Sequence, residues 1–387
     1  MHASRWLAVG HAGGSEPESG ARAADRALVH ADAKLLVVFC SESHDLRAVL
    51  RQITDRSGGV PLIGCSTAGE IVASGPGERS VVVTAFGGDG FSIETAVAPR
   101  ASSDLRAAGA QAASCMAMVK DRPHRVLLLL TDGLAGDQQE ILRGVYGVLG
   151  AGVPLVGGCA GDDLKMARTF QMHGDQLLTD SVVAAGIGSD APLGIGVRHG
   201  WRRIGEPMLA TRSGGNRVYT LDGEPALDVY LERLGSRAPA HANQEELAQV
   251  ALVHPLGLSR RSGEEQIRFI AGGDFVERSL SCIAEVPQGG LVWIMEGDAE
   301  SVLEATDAAC DDSLLPLGGR PPLGMLAFDC VARRGVLGGQ GIRVEIDRIA
   351  ERAGGAPVAG LYTYGEIART RGISGFHNQT LVVLSVA

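Results

Sequence analysis

Lysine is nearly absent from this chain of 387 residues: only Lys34, Lys120 and Lys165 occur. A lysine that cradles phosphates is therefore not expected. Neither GxxxxGK[ST] nor a GxGxxG leading into a helix with a distant acidic residue is found. Positive charge is scarce overall, and the formal net charge is −10. The arginine pairs Arg202–Arg203, Arg260–Arg261 and Arg333–Arg334 are short and scattered, and read as solvated surface. Nucleic-acid binders present basic stripes that neutralise phosphates, so this balance argues against such a partner.

Long hydrophobic runs are missing too. The longer ones, such as residues 126–130 and 381–384, are strand-sized, far below the ~20 residues that span a bilayer. Residues 1–14 hold too short an apolar stretch for a signal peptide. Seven cysteines show no CxxC spacing, which speaks against both a disulfide framework and a zinc site. Ten histidines form no HxH and no HExxH, and the absence of CxxCH excludes covalently attached c-type haem. A reducing cytoplasm, without membrane insertion, is the expected setting.

What the chain does have is apolar mass and glycine. At 45% hydrophobic it can build a large core, and its length suggests two or three domains. The 54 glycines follow no Gly-X-Y period, which points to many tight turns.

The most informative feature is internal repetition. A first unit runs through the apolar segment 35–40 (LLVVFC), a helical segment 45–53, PLIGCSTAGEI at 61–71 and SVVVTAF at 80–86. A second repeats the order: 126–130 (VLLLL), a helix over 137–149, PLVGGCAGDD at 154–163 and SVVAAGI at 181–187. A third closes the chain: 324–330 (GMLAFDC), a helix over 344–353, PVAGLYTYGEI at 357–367 and TLVVLSV at 380–386. The first and third turn segments share Pro, Gly, Thr, Gly, Glu and Ile at matching offsets. The second matches the Pro, the first Gly and an acidic residue, but Gly161 comes one place early.

Each unit reads strand–helix–strand–strand. A strand returning through a helix is normally a parallel crossover. The expected fold is α/β, with α+β as the alternative: mixed sheets with covering helices, built from three related units. A less repetitive region, 193–312, carries strand-like stretches at 193–197, 207–211, 266–270 and 290–295. Helix candidates there are 225–234, 244–250 and 299–309, with Pro225 suited to a first helical position. Residues 235–242 read as an exposed loop. The boundary is placed at 188–192, dividing the chain into domains 1–190, with two units, and 191–387, ending in the third.

The turn GCSTAGE ends a buried strand, where ligand crevices form in such sheets. Its glycines allow close backbone approach, Cys65, Ser66 and Thr67 offer small polar contacts beside Gly69, and Glu70 offers a carboxylate. The competing reading is a tight turn capped by Ser and Thr. The related turns supply Gly158, Cys159 and Asp162, and Tyr362, Tyr364 and Glu366. Asp132 and Asp137 suit a cation or, more simply, Asp137 caps the following helix. Cys40, Cys65, Cys159 and Cys330 lie at strand ends, either as a metal or redox cluster or as small buried apolar residues. His377, with Asn378, lies between the third turn and the last strand. It is either a ligand contact, and the candidate haem ligand, or a structural loop histidine. Ser66 is not in GxSxG, and no histidine is spaced as a base for it, so an enzyme with Cys or carboxylate chemistry is a lesser alternative.

Taken together, these residues resemble the FIST family, a sensory domain of bacterial signalling proteins and of some F-box proteins. The resemblance rests on LLVVFCS, GCSTAGEI and VPLVGGCAGDD in a FIST N-type part. In a FIST C-type part it rests on GNRVYTLDGEPALDVYLERLG (215–235), LAFDCVAR (326–333) and YTYGEIARTRGISGFHNQTLVVL (362–384). It implies a stand-alone sensor that binds a small ligand, amino acids being one proposal, and reports to a separate partner. It also implies an alternative, a haem protein that senses nitric oxide and regulates a histidine kinase. No catalytic residue is assigned. The ligand site is expected where Gly64–Glu70, Gly157–Asp163, Tyr362–Glu366 and His377–Asn378 meet.

Overall fold

The computed structural model describes residues 5–14, 18–77, 79–119, 122–238, 243–259, 265–370 and 375–387. Arg260, Arg261, Lys120 and residues 239–242 of the expected loop lie outside them. The described residues form eight α-helices and four sheets, a mixed α and β architecture. No helix among them is long and apolar enough to cross a membrane.

The first motif folds as β1 (Ala33–Cys40), α1 (Leu46–Ser57), β2 (Leu62–Ser66), β3 (Glu70–Val72) and β4 (Val81–Gly87). The second gives β5 (His124–Thr131), α2 (Gln138–Leu149), β6 (Leu155–Cys159), β7 (Gln171–His173) and β8 (Ser181–Ser189). The third gives β9 (Gly324–Cys330), α3 (Val331–Arg352), β10 (Val358–Thr363), β11 (Glu366–Arg369) and β12 (Leu381–Val386). Asp45 and Asp137 both cap their helices, accepting from Arg47 N and Ala48 N and from Gln139 N. Helix α3 starts well before the expected residue 344 and kinks at Gly338, whose φ is 61°.

In each motif the strands flanking the helix pair in parallel: β1 with β2, β5 with β6, β9 with β10. The last strand of each motif adds antiparallel to the first. The shared glycine of the PLIG, PLVG and PVAG segments has one cause throughout. A Cβ on Gly64, Gly157 or Gly360 would overlap the carbonyl oxygen of Val38, Leu129 or Ala327 on the adjoining parallel strand.

The three motifs do not share one sheet. Each nucleates its own six-stranded sheet and completes it with strands from elsewhere. Strand β3 leaves the first motif and pairs with β10, Glu70 facing Leu361. Strand β11 leaves the third and pairs with β6, Glu366 facing Gly158. Strand β7 leaves the second and pairs with β2, Gln171 facing Cys65. The exchange thus runs in a closed ring. Edge strands Trp6–Ala12, Phe91–Pro99 and Leu193–Arg198 complete the three sheets by pairing with β4, β8 and β12.

The central strands read as unbroken apolar runs because both of their faces are buried. Val37 and Phe39, Leu128 and Leu130, and Leu326 and Phe328 turn into one common core between the sheets. Phe39 meets Phe328 edge to face at 6.0 Å. The alternate residues face the covering helices, as Leu36 and Val38 do beneath Leu46, Val49 and Ile53. A fourth sheet, of eight antiparallel strands, belongs to the region between β8 and β9. It has its own core with helices Ala226–Leu234 and Gln244–Val253. Pro225 is the N-cap of the first of these rather than its first helical residue.

Candidate functional site

The turns that follow β2, β6 and β10 come from three sheets, yet they clasp one another. Ser66, Cys159 and Tyr362, the residues at the three strand ends, each donate a backbone N–H to one neighbouring turn: to Phe170 O at 2.9 Å, Gly365 O at 2.8 Å and Gly69 O at 2.8 Å. Each also accepts from the same turn, from Gly161 N, Tyr364 N and Ala68 N. Strand exchange forces this: a chain that leaves for the next sheet must cross the strand end it joins.

The two turn glutamates are locked in the same way. Thr67 Oγ1 donates to Glu70, and Ser80 donates both its N–H, at 3.0 Å, and its hydroxyl, at 2.6 Å. Thr363 Oγ1 donates to Glu366 at 2.6 Å, and Thr380 N–H at 3.1 Å. Both carboxyls are fully buried. Burial outweighs these donors and pushes Glu70 up to about 7 and Glu366 up to about 8. Their oxygens are spent inside the protein, so neither is an open receptor for an amine.

In the second motif the corresponding place belongs to Gln171, not to Asp162 or Asp163. Gln171 has the same cross-strand position and the same partner, accepting from Ser181 N at 3.2 Å. Residues 160–170 loop out before it, which hides the match in the sequence. The available signal is the hydroxyl residue that precedes or opens each last strand: Ser80, Ser181 and Thr380.

Asp162 instead organises that loop. Its buried carboxylate accepts from the N–H groups of Met166, Ala167 and Arg168 and from the hydroxyl of Tyr364. Burial opposes its charge, but the Tyr364 hydroxyl and those three N–H groups hold it below the usual range. Tyr364 in turn accepts from Leu164 N at 2.7 Å. The loop carries positive φ at Asp163, Leu164 and Met166 and shows Leu164 and Met166 to solvent.

The remaining expected residues lie within or next to the clasp. Ser66 Oγ donates to Gly161 O at 2.8 Å and accepts from Phe170 N. Cys65 and Cys159 are buried, and burial raises both thiols, Cys159 to about 12. Cys40 and Cys330 are raised likewise, so burial favours the thiol over the thiolate at all four. A Cβ on Gly69 would press on Arg334 and Tyr362, and one on Gly158 would press on Thr363. The turns therefore fill much of their own interior. His377 is half-buried, with Nε2 against Ala368 O at 3.0 Å. Asn378 Oδ1, Gln379 Oε1 and the Tyr362 hydroxyl are buried and have no partner among the described residues.

Beside Tyr362 lies a buried charge cluster that the sequence did not announce. Arg333 was read as surface, but its side chain is fully buried. It donates to Asp329 at 2.6 Å, to Glu345 at 2.6 Å, and to Thr306 and His199 O. Burial and the nearby Glu345 push Asp329 well above the carboxylate range. His199 is driven down to about 4 by burial, Arg333 and His377, so it is neutral. A cavity of about 510 Å³ opens elsewhere, on the fourth sheet, lined by Arg217, Gln244, Gly272, Asp274, Phe275 and Ser281. None of the expected site residues lines it.

Comparison with known proteins agrees with the extent of the fold. Residues 34–224 match the FIST N domain and residues 226–369 match the FIST C domain. An uncharacterised protein of Mycobacterium tuberculosis, Rv0628c, is 26% identical over 379 residues, covering 93% of this chain and 94% of that protein. An uncharacterised protein of Methanocaldococcus jannaschii, MJ1623, is 28% identical over 178 residues, 43% of this chain and 34% of that protein. Mb0898c of Mycobacterium bovis, also uncharacterised, is 27% identical over 240 residues, 59% of each.

Proposed function

This chain belongs to the FIST family, and from that membership we propose that it is a sensory protein that binds a small ligand and reports to a separate signalling partner. The observation that supports this reading best is the clasp of three turns. Each turn ends one sheet and begins a strand of another, so a ligand bound among them acts on three sheets at once. A ligand that prefers one arrangement shifts the population toward it, and a partner that reads the arrangement then gains or loses affinity.

The ligand contacts in this proposal are the turn residues Cys65–Gly69, Gly158–Asp162 and Tyr362–Tyr364, with His377 and Asn378, while Glu70 and Glu366 hold the turns rather than the ligand. The unpartnered Tyr362 hydroxyl and Asn378 Oδ1 support it, because a buried polar atom without a partner costs about 1–3 kcal/mol. We also read the three motifs as related units. Their identical pairings and the shared Glu–Gln–Glu lock support common descent of the three.

The role proposed is non-catalytic. Ser66 is committed to a carbonyl, and the thiols of Cys65 and Cys159 are raised by burial, which suits packing rather than nucleophilic attack. The partner proposed is a signalling protein, a histidine kinase being the kind the family resemblance suggests. For haem, iron ligation by His377 would require its Nε2 to leave the carbonyl of Ala368.

The test is a thermal-shift screen of the full chain with amino acids, other small metabolites and haemin, paired with an absorption spectrum. Saturable stabilisation by a small molecule is expected. A stoichiometric Soret band that moves with nitric oxide would select the haem alternative. A protein that no compound stabilises, haemin included, would end the sensor reading.

A further inference from the structure

Among the described residues three arginines are nearly or fully buried, and two of them show how this fold satisfies a guanidinium. Arg333 engages Nε, Nη1 and Nη2 with carboxylates, a hydroxyl and carbonyls. Arg268 engages all three nitrogens with Glu285 O, Ile267 O and the Gln266 amide. Arg369, the last residue of β11, is different. It is 2% exposed, its Nη2 donates to Val153 O at 3.0 Å, and its Nε and Nη1 have no acceptor among the described residues. No described carboxylate is paired with it. Its one charge-sensing neighbour is the ring of Tyr146, 5.6 Å away.

The fold does not require an arginine here. Arg369 lies three residues past Glu366; the residues three past Glu70 and Gln171 are Ala73 and Gly174, just beyond the ends of β3 and β7. Those sheets close with next to no side chain. A buried guanidinium with open donors is costly unless something brings the acceptor.

We propose that Arg369 is the anchor for a carboxylate of the sensed small molecule, which makes the ligand a carboxylic acid. This rests on the sensor reading above and names its ligand class. A guanidinium offers donors spread in a plane that match a planar carboxylate. Among the described residues no second cation acts on it, and one cation balances a single negative charge, which favours carboxylate over phosphate. Tyr146 is 36% exposed, so the guanidinium is one ring away from solvent. The aromatic face suits the apolar part of such a ligand.

Melting curves of the full chain and of Arg369→Met test this, with each amino acid, acetate, succinate, acetamide and inorganic phosphate as probes. At least one carboxylate should raise the wild-type Tm saturably, and its amide counterpart should not. Arg369→Met should weaken that response about tenfold or more. Without ligand it should melt at or above the wild type, because an unpaired buried charge has been removed. An Arg369→Met protein that melts well below the wild type, or that binds the same carboxylate equally well, overturns the assignment. A response to phosphate alone, or to no carboxylate, also overturns it. If an uncharged compound stabilises both proteins alike, the sensor reading stands and the Arg369 anchor falls. If no compound stabilises either, both fall.

Discussion

Glu70 and Glu366 lie in different sheets and are held by the same lock: the hydroxyl of a threonine three residues earlier and the backbone N–H of a hydroxyl residue before the last strand. Gln171 fills the corresponding place in the second motif, which shows that an uncharged amide fits there.

The lock predicts a pH dependence. Burial raises Glu70 to about 7 and Glu366 to about 8 from 4.5, so the folded state holds protons that the unfolded chain releases. Stability is fully present below pH ~4.5 and is lost as pH rises through about 7 to 8, on the order of 3 kcal/mol for Glu70 and on the order of 5 kcal/mol for Glu366. Glu70→Gln and Glu366→Gln should fold, and the double variant should flatten the curve. Urea melts between pH 5 and 8.5 measure this; an unchanged slope in the double variant would refute it.

At Asp329, burial and Glu345 favour the protonated acid. Asn has the same shape, accepts from Arg333 and can donate to Glu345. Asp329→Asn should therefore cost less than about 1 kcal/mol, whereas Arg333→Met should cost about 3–5 kcal/mol by stranding Glu345. Equal losses in chemical denaturation would contradict a protonated Asp329.

Tyr364→Phe removes the hydroxyl that joins Asp162 to Leu164 N. A cost of about 1–3 kcal/mol is expected. The loop after Asp162 should also open. Trypsin, which cuts after Lys165 and Arg168, both exposed, should cleave the variant faster under native conditions. Unchanged cleavage would show that the loop is held by other contacts.

Gly157→Ala places a methyl group against Leu129 O, at a backbone φ of 144° that suits glycine. Separation of β5 from β6 should cost about 2–4 kcal/mol. A wild-type Tm would mean that the parallel pair tolerates a shift, and that the glycine shared by the three motifs has another cause.

Much of this was legible in the sequence. The apolar runs, the Asp-capped helices and the parallel crossover through each helix follow from local pattern, and the runs and those helices emerge within a few residues of expectation. The strands Trp6–Ala12 and Phe91–Pro99 and the helices Ser19–Ala27 and Leu105–Ala112 were not singled out. They carry small or half-buried residues, and their faces are set by the neighbours they cover.

By itself, then, the sequence determined where most of the central strands and their helices lie, and that a hydroxyl residue stands at the start of each closing apolar run, because backbone propensity and capping act over a few residues. Only the tertiary structure decided that the motifs nucleate three sheets and exchange strands in a ring. It also decided that Gln171 rather than Asp162 is the counterpart of Glu70 and Glu366, and that Arg333 and Arg369 are buried. Pairing register and desolvation depend on which distant backbone lies alongside, and no local spacing records that.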